Sequence, residues 1–214
     1  HAGQSRIIRQ AYFEHTDYVP LMERAYENWK QLEDETGERL YFKTGLLYAG
    51  NSGNEIIKGV RLAASLYNIE LEQLNTKDVA DRFPQFNFPD SFEVLFEPEA
   101  GFLRPERSIQ LYADQSKKNG AEIHSHEKVI EWKKEGAGLI VKTGKNIYSC
   151  NKLIITAGAW SGKIIQGISD KIRVTRQFVS WIKTNNDKQF ELGKFPCWMI
   201  GDDDKHGCYY GFPL

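Results

Sequence analysis

The sequence has no GxGxxG and no other glycine fingerprint that opens a helix after a strand, so these residues supply no phosphate-cradling turn. It also lacks a GxSxG elbow and any Cys/His pairing, which removes the common hydrolase nucleophiles. Cysteine is scarce: Cys150, Cys197 and Cys208 are odd in number and show neither CxxC nor zinc spacing. Neither a disulfide framework nor a zinc site follows from them. A reducing home such as the cytoplasm is expected. No apolar run is long enough to span a bilayer, the longest being of the kind LIITAGAW, 153–160. Charge of one sign never accumulates. With 28 Lys and Arg against 29 Asp and Glu, the net charge is -1, which argues against a nucleic-acid or membrane-surface partner. Internal repeats and low-complexity segments are absent as well.

What is present is a soluble globular composition. The 214 residues are 41% hydrophobic and 13% aromatic, enough for one large domain or two lobes with an aromatic-lined core or pocket. YVPLMERAYENWKQLEDETG predicts a helix, with Met22, Ala25, Tyr26, Trp29 and Leu32 at three- and four-residue spacing and a stop at Gly37. LYFKTGLLYAG reads as strand broken at Gly45. Ser52 and Glu55 have capping-box spacing ahead of a second helix with Ile56, Val60, Ala63 and Tyr67. TKDVADRF is a short helix, FEVLFEP a strand, and RPERSIQLYADQSKKNG a helix with Pro105 in its first turn and Asn119-Gly120 as its stop. AEIHSHEKVIEW is expected as a strand bent near Glu127, GLIVKT and NIYSC as short antiparallel strands, and KLIITAGAW as a buried strand ending in a glycine turn. SGKIIQG is a short helix, and IRVTRQFVSWIKT and FPCWMIG…GCYYGFPL are further strands. The mixture, with a strand–helix–strand unit over 92–126, predicts an α/β or α+β fold with a parallel piece of sheet.

Several stretches resemble chemistry without supporting it. GAGLIV, 136–141, opens no helix and reads as a hairpin turn. His124 and His126, two apart on the expected strand, would share a face, but no further ligands are near in sequence. DDDK with His206 and Gly207 reads as a solvated hairpin turn. No metal site is expected. TAGAW is more suggestive. A β-branched strand ending in Thr-Ala-Gly-Ala lets backbone approach a ligand at a strand's carboxyl end, although the same residues suit a helix-packing turn. SRIIR sets Arg6 and Arg9 three apart, on one face of a helix or on diverging faces of an extended segment. Such arginines are commonly solvated. Ile7 and Ile8 between them would instead hold a guanidinium near the interior, where it needs an anion.

Taken in order, GQSRIIRQAYFEHTDYVPL, the helix ending in WKQLE, KTGLLYAG, FEPEAGFLRPE, KLIITAGAW and YYGFP resemble the family of flavin-dependent amine oxidases of the sarcosine and N-methyltryptophan type. The likeness runs from His1 to Leu214. It implies part of an FAD-binding, Rossmann-like lobe (1–49 and 102–171) interleaved with a mixed-sheet substrate-binding lobe (50–101 and 172–214). In that family a glycine-rich phosphate turn precedes the HAGQSRIIR-like region, and an oxygen-activating lysine and a flavin-linking cysteine follow the YYGFP-like strand. The resemblance therefore implies a middle piece of a longer enzyme, one that by itself binds FAD weakly or not at all. Cys150, Cys197 and Cys208 match no flavin-linking position.

The same resemblance assigns roles. Arg9 and Arg6 are the expected catalytic residues: Arg9 matches the arginine that pairs with the substrate carboxylate, and Arg6 the arginine beside the flavin ring. Tyr210 matches a tyrosine lining the substrate pocket. Val129 matches a residue whose backbone contacts adenine, Gly158 and Ala159 the strand-end turn passing the cofactor, and His1 the first of two histidines near the flavin. Ala2 replaces the second histidine, and Gln4 an acidic residue. The implied activity is oxidation of the C–N bond of sarcosine or another small N-methyl amino acid to an imine, with O2 reduced to H2O2. A flavin dehydrogenase acting on a hydroxy or imino acid, or a non-catalytic module binding a small carboxylate, is the alternative.

Overall fold

The computed structural model describes residues 3–202 and 207–214. In chain order the first elements are β1 (Arg6–Ile8), α1 (Tyr18–Thr36), β2 (Tyr41–Lys43), β3 (Leu46–Asn51), α2 (Glu55–Tyr67), β4 (Glu72–Leu74) and α3 (Thr76–Arg82). They continue with β5 (Phe92–Glu97), β6 (Gly101–Leu103), α4 (Pro105–Lys118), β7 (Val129–Glu135), β8 (Gly138–Thr143) and β9 (Ile147–Cys150). The last are a short α5 (Ser161–Ile164), β10 (Cys197–Asp202) and β11 (Gly207–Gly211). Contacts divide the chain into one unit of His1–Gly120 with Lys183–Leu214 and another of Ala121–Ile182.

The first unit is built on a five-stranded sheet of order β11-β10-β3-β5-β4, in which β10 and β3 run parallel and the other pairs antiparallel. Side chains alternate across it with the strand period of two. Leu46 and Tyr48 of β3, Leu95 of β5, and Cys197 and Met199 of β10 share a cluster with Ile56, Ile57, Val60 and Ala63 of α2. Leu47, Ala49, Val94 and Phe96 turn the other way, onto Leu74, Val79 and Phe83. Burial on both faces explains why β3 reads as a continuous apolar run rather than an alternating one. A second sheet, β1-β6-β2, is small and antiparallel. Gly45 separates β2 from β3 as expected. It holds φ +68°, and a Cβ there would lie 2.1 Å from the Phe96 ring, so no other residue fits the break.

Helix boundaries follow local chemistry. α1 ends at left-handed Gly37, whose N–H donates to the Glu33 carbonyl at 2.8 Å. α4 begins with Pro105 and stops at Asn119-Gly120, as expected. α2 corrects the sequence reading: its cap is Asn54, which accepts from the Ile56 N–H at 2.9 Å, and not Ser52. Asn54 is extended and directly precedes the helix, whereas Ser52 lies back in the turn after β3. α3 carries a reciprocal capping box between Asn75 and Asp78 that the sequence reading passed over.

The second unit contains the antiparallel meander β7-β8-β9. GAGLIV forms its first hairpin, with Gly136 at φ +58°, in line with the sequence reading. Of the expected strands, AEIHSHEKVIEW forms only from Val129 onward, as the start of β7, and two others do not form. Residues 121–128 precede β7 without pairing, and His126 sits at φ +55°, so His124 and His126 share no strand face. His124 Nε2 instead lies 3.3 Å from Glu122. The 152–157 run of KLIITAGAW and the 172–184 run of IRVTRQFVSWIKT take no strand pairing among the described residues, and Ile154 and Phe178 are 87% and 90% exposed. β-branched runs become strands only where a partner strand satisfies their backbone groups. The expected strand–helix–strand unit over 92–126 fails for the same reason. The parallel pairing joins β3 to β10, strands distant in the chain.

Candidate functional site

Extended backbone at β1 decides the fate of the two arginines. Arg6 pairs opposite Leu103 and faces solvent, while Ile8 and Arg9 turn inward. The two cations therefore diverge. Arg9 is only 7% exposed, with its guanidinium carbon 4.2 Å from the Tyr12 ring centroid and 5.0 Å from that of Phe13. Its Nη2 donates to both carboxylate oxygens of Glu14, at 2.9 and 2.7 Å. Its Nε is buried and has no hydrogen-bond partner among the described residues. Burial works against the Arg9 charge, but Tyr48, Glu14 and Tyr12 together outweigh it and raise the pKa. Tyr48 stays neutral at physiological pH, its own pKa being pushed well up by burial and then by Glu97, so Glu14 is the working counter-charge. A charged, planar donor with one face on an aromatic ring and an unused N–H is suited to a second planar anion.

Beneath this turn lies a buried carboxylate. Glu97, the last residue of β5, is fully shielded from solvent. It accepts the Gln10 N–H at 2.6 Å, the Ala11 N–H at 3.3 Å and the Tyr48 hydroxyl at 2.7 Å. Burial raises its pKa, and the bonds from Gln10, Tyr48 and Ala11, with the Arg9 charge, oppose that rise. The two backbone donors and the Tyr48 hydroxyl favour the ionised form against that rise.

Tyr210 belongs to the same face of the five-stranded sheet. Its register partner is Met199, which pairs with Tyr48, which pairs with Leu95, so the four form one row across the strands. Strand spacing puts Tyr210 and Tyr48 roughly 10 Å apart along that row. Cys208 and Phe212 share the face, and the Cys208 thiol feels the Arg9 and Glu14 charges, although burial is the larger cause of its raised pKa. Tyr210 is 38% exposed, with its ring edge-on to Phe212 at 6.0 Å. Arg9 and Tyr210 are thus brought to one side of the sheet. Val129, Gly158 and Ala159 lie in the second unit: Val129 opens β7 opposite Thr143, and Gly158 and Ala159 form an exposed single turn with Gly158 at φ +52°. His1 and Ala2, and the Asp203–His206 part of the expected DDDK turn, lie outside the described residues.

Glu14, Glu97 and Tyr48 were not anticipated from sequence. Glu97 left one signal. In FEVLFE the period of two sets it on the same face as Leu95, a core position where a carboxylate needs an explanation. Glu14 left none, because a loop between β1 and α1 has no periodicity.

The site is thus a buried arginine held between aromatic rings and a carboxylate on a mixed α/β frame. The family comparison places the chain more firmly: residues 1–212 match the FAD dependent oxidoreductase model, and the chain belongs to that family. Over 216 residues it is 33% identical to monomeric sarcosine oxidase of Bacillus sp. (strain NS-129), covering 100% of this chain and 55% of that protein. It is 31% identical over 213 residues to N-methyl-L-tryptophan oxidase of Yersinia pestis (strain Pestoides F), covering 100% and 56%. The chain thus spans about half the length of the curated relatives it matches. Among solved structures it resembles NikD, an unusual amino acid oxidase essential for nikkomycin biosynthesis, with TM-score 0.75 at 19% identity, covering 100% of this chain and 55% of that one. L-proline dehydrogenase from P. horikoshii aligns with TM-score 0.68 at 17% identity, over 97% of this chain and 59% of the other.

FAD is the cofactor of this family, and each unit carries groups that fit parts of it. In the first unit, Arg6 is a solvent-facing cation on β1. In the second, Gly158 holds a left-handed backbone with no atom within 4 Å of a notional Cβ, which leaves its amides open to close approach. No glycine-rich phosphate turn is among the 214 residues.

Proposed function

We propose that the protein at full length oxidises the C–N bond of a small N-substituted amino acid, sarcosine or another N-methyl amino acid, to the imine, with O2 as electron acceptor and H2O2 as product. The observation that carries this reading is Arg9: a buried guanidinium over the Tyr12 ring, with Glu14 on one nitrogen and an unpartnered Nε. An amino-acid carboxylate is the planar anion that such a donor fits.

In this reading Arg9 binds and orients the substrate carboxylate, and so fixes the amine at the other end of a short molecule. Tyr210, with Phe212 beside it, walls the site and limits water. Arg6 places positive charge where the flavin ring is expected, and His1, Val129, Gly158 and Ala159 are its further contacts. FAD, when bound, would supply the redox chemistry, accepting a hydride equivalent from the carbon beside nitrogen as the amine loses a proton, with the two electrons and two protons passing to O2 as H2O2. The imine leaves for hydrolysis by water. The flavin lobe corresponds to 1–49 and 102–171 and the substrate lobe to 50–101 and 172–214. The three unpaired cysteines suit a reducing compartment such as the cytoplasm.

The test is Arg9→Ala in the full-length protein. Loss of a charge-assisted, paired contact raises KM for sarcosine by about 100-fold or more. An unaltered KM removes Arg9 from the carboxylate role. Peroxide formed in step with substrate loss distinguishes the oxidase from a dehydrogenase that uses another acceptor. The 214 residues alone, lacking the phosphate turn, are expected to remain colourless when mixed with FAD and desalted.

A further inference from the structure

Arg9 owes its position to very little of its own chain. β1 ends one residue before it and pairs only through Arg6, Ile7 and Ile8. Beyond it the chain leaves the sheet, and the next two amides, of Gln10 and Ala11, both end on one carboxylate, that of Glu97. That carboxylate comes from residue 97, far along the chain, and sits at the end of a strand whose partner, β3, also provides Tyr48 as its third donor. A backbone carbonyl or a hydroxyl could have capped two amides without the cost of burying a charge. The Arg9 charge in turn opposes the burial-driven rise of the Glu97 pKa. The arrangement is a buried carboxylate that holds the backbone after Arg9, while Glu14 takes Nη2 and Nε stays without a partner among the described residues.

We propose that Glu97, held in place by Tyr48, is a positioning residue for Arg9 in substrate-carboxylate binding. Glu97 touches neither the guanidinium nor the ligand. It keeps the Arg9–Ala11 turn in one conformation, so that the guanidinium stays over the Tyr12 ring with its Nε unpartnered. This rests on the reading of Arg9 as the carboxylate-binding residue. Glu97→Gln leaves one acceptor oxygen and an amide facing three donors, so at least one of the amide bonds is lost. Tyr48→Phe removes only the third donor and leaves both amide bonds intact.

The experiment uses full-length, FAD-loaded protein carrying Glu97→Gln, Tyr48→Phe and Arg9→Ala, singly and with each of the first two combined with Arg9→Ala. KM and kcat for sarcosine are measured, and binding of acetate, an unreactive carboxylate, is followed by calorimetry. Glu97→Gln is expected to raise KM and the acetate Kd about 10-fold and Tyr48→Phe about 3-fold, with kcat changed less than about 2-fold. In the Arg9→Ala background neither adds a further rise, because a residue acting through another has nothing left to act on. If Arg9→Ala raises KM while Tyr48→Phe and a folded Glu97→Gln keep the parental KM and acetate Kd, the positioning role is wrong and the Arg9 reading stands. The positioning role is equally wrong if either variant raises KM by the same factor with and without Arg9. Where Glu97→Gln does not fold, Tyr48→Phe decides alone. If Arg9→Ala itself leaves KM unchanged, the carboxylate reading fails first, and the role proposed for Glu97 falls with it.

Discussion

Arg9 and Glu14 meet through a single nitrogen that bonds both carboxylate oxygens, at 2.9 and 2.7 Å, while the Arg9 Nε has no partner among the described residues. The contact joins a buried cation to a carboxylate whose side chain is 45% exposed. Glu14 therefore competes with any incoming carboxylate for the same guanidinium. Its exposure limits that competition to about 1 kcal/mol, roughly 5-fold in binding. Glu14→Gln in the full-length protein is expected to lower KM for an N-methyl amino acid by about that factor, with kcat little changed. A KM that rises instead means that Glu14 orients Arg9 rather than competing for it.

Gly59 is a remote position with a direct line to the site. It lies in α2, and a Cβ there would fall 2.2 Å from the Phe13 carbonyl oxygen and 2.7 Å from the Phe13 Cα. In most helices Gly→Ala stabilises by roughly 1 kcal/mol. Here the neighbour is backbone and cannot step aside cheaply, so Gly59→Ala is expected to cost about 1–3 kcal/mol, as overpacking does. Because the Phe13 ring lies beside the Arg9 guanidinium, KM rises as well. Urea unfolding and steady-state kinetics on the same preparation check both effects, and a stabilised variant with unchanged KM contradicts the packing described.

The capping box of α3 is a purely structural prediction. Asn75 accepts the Asp78 N–H and Asp78 accepts the Asn75 N–H, both at 3.0 Å. Asn75→Ala removes one half of this exchange and is expected to cost about 1 kcal/mol. Asn75→Ser, which keeps an acceptor at the cap, should recover most of it. Equal denaturation midpoints for the Ala and Ser variants would show that the cap contributes nothing.

Alkaline pH should destabilise the fold in a defined order. Burial pushes the Cys197 thiol up to about 12, and the Tyr48 phenol is raised well above its ordinary value by burial and by Glu97. A pKa raised on folding gives stability that is complete below the unfolded value and declines as pH climbs toward the folded one. The Cys197 share therefore begins to fall near pH ~8.5, where an unfolded thiol ionises, and that of Tyr48 near pH ~10. Cys197→Ala lacks the first of these losses. The difference in Tm between parent and variant should narrow between pH of about 8 and 10, and thermal melts across that range measure it.

How much of this was legible beforehand can be judged element by element. α1, α2 and α4 carried their period, their stops and the Pro105 start in sequence. The break at Gly45 and the β7–β8 hairpin were equally local. The α2 cap was misplaced by two residues because Ser52 and Asn54 are both good caps, and only the path of the turn after β3 selects Asn54. The runs at 121–128, 152–157 and 172–184 failed as strands because ladder formation is a property of a pair and not of a segment. At the site, Arg6 and Arg9 could be named but not told apart by environment. The extended geometry of β1 sent one to solvent and the other to the interior.

The sequence by itself determined the local conformations, whose causes are short-range: apolar spacing, a glycine needed at positive φ, a proline in a first turn. It also carried the order of motifs that marks the family. The tertiary structure alone decided what surrounds Arg9. Glu97 and Tyr48 come together beneath the turn that follows it, from β5 and β3, because the register Leu46↔Glu97 and Tyr48↔Leu95 puts them on one face. Tyr210 reaches the same face through β11 and β10. Register and burial are relations between distant segments. A buried charge acquires its partners only once those segments are packed together.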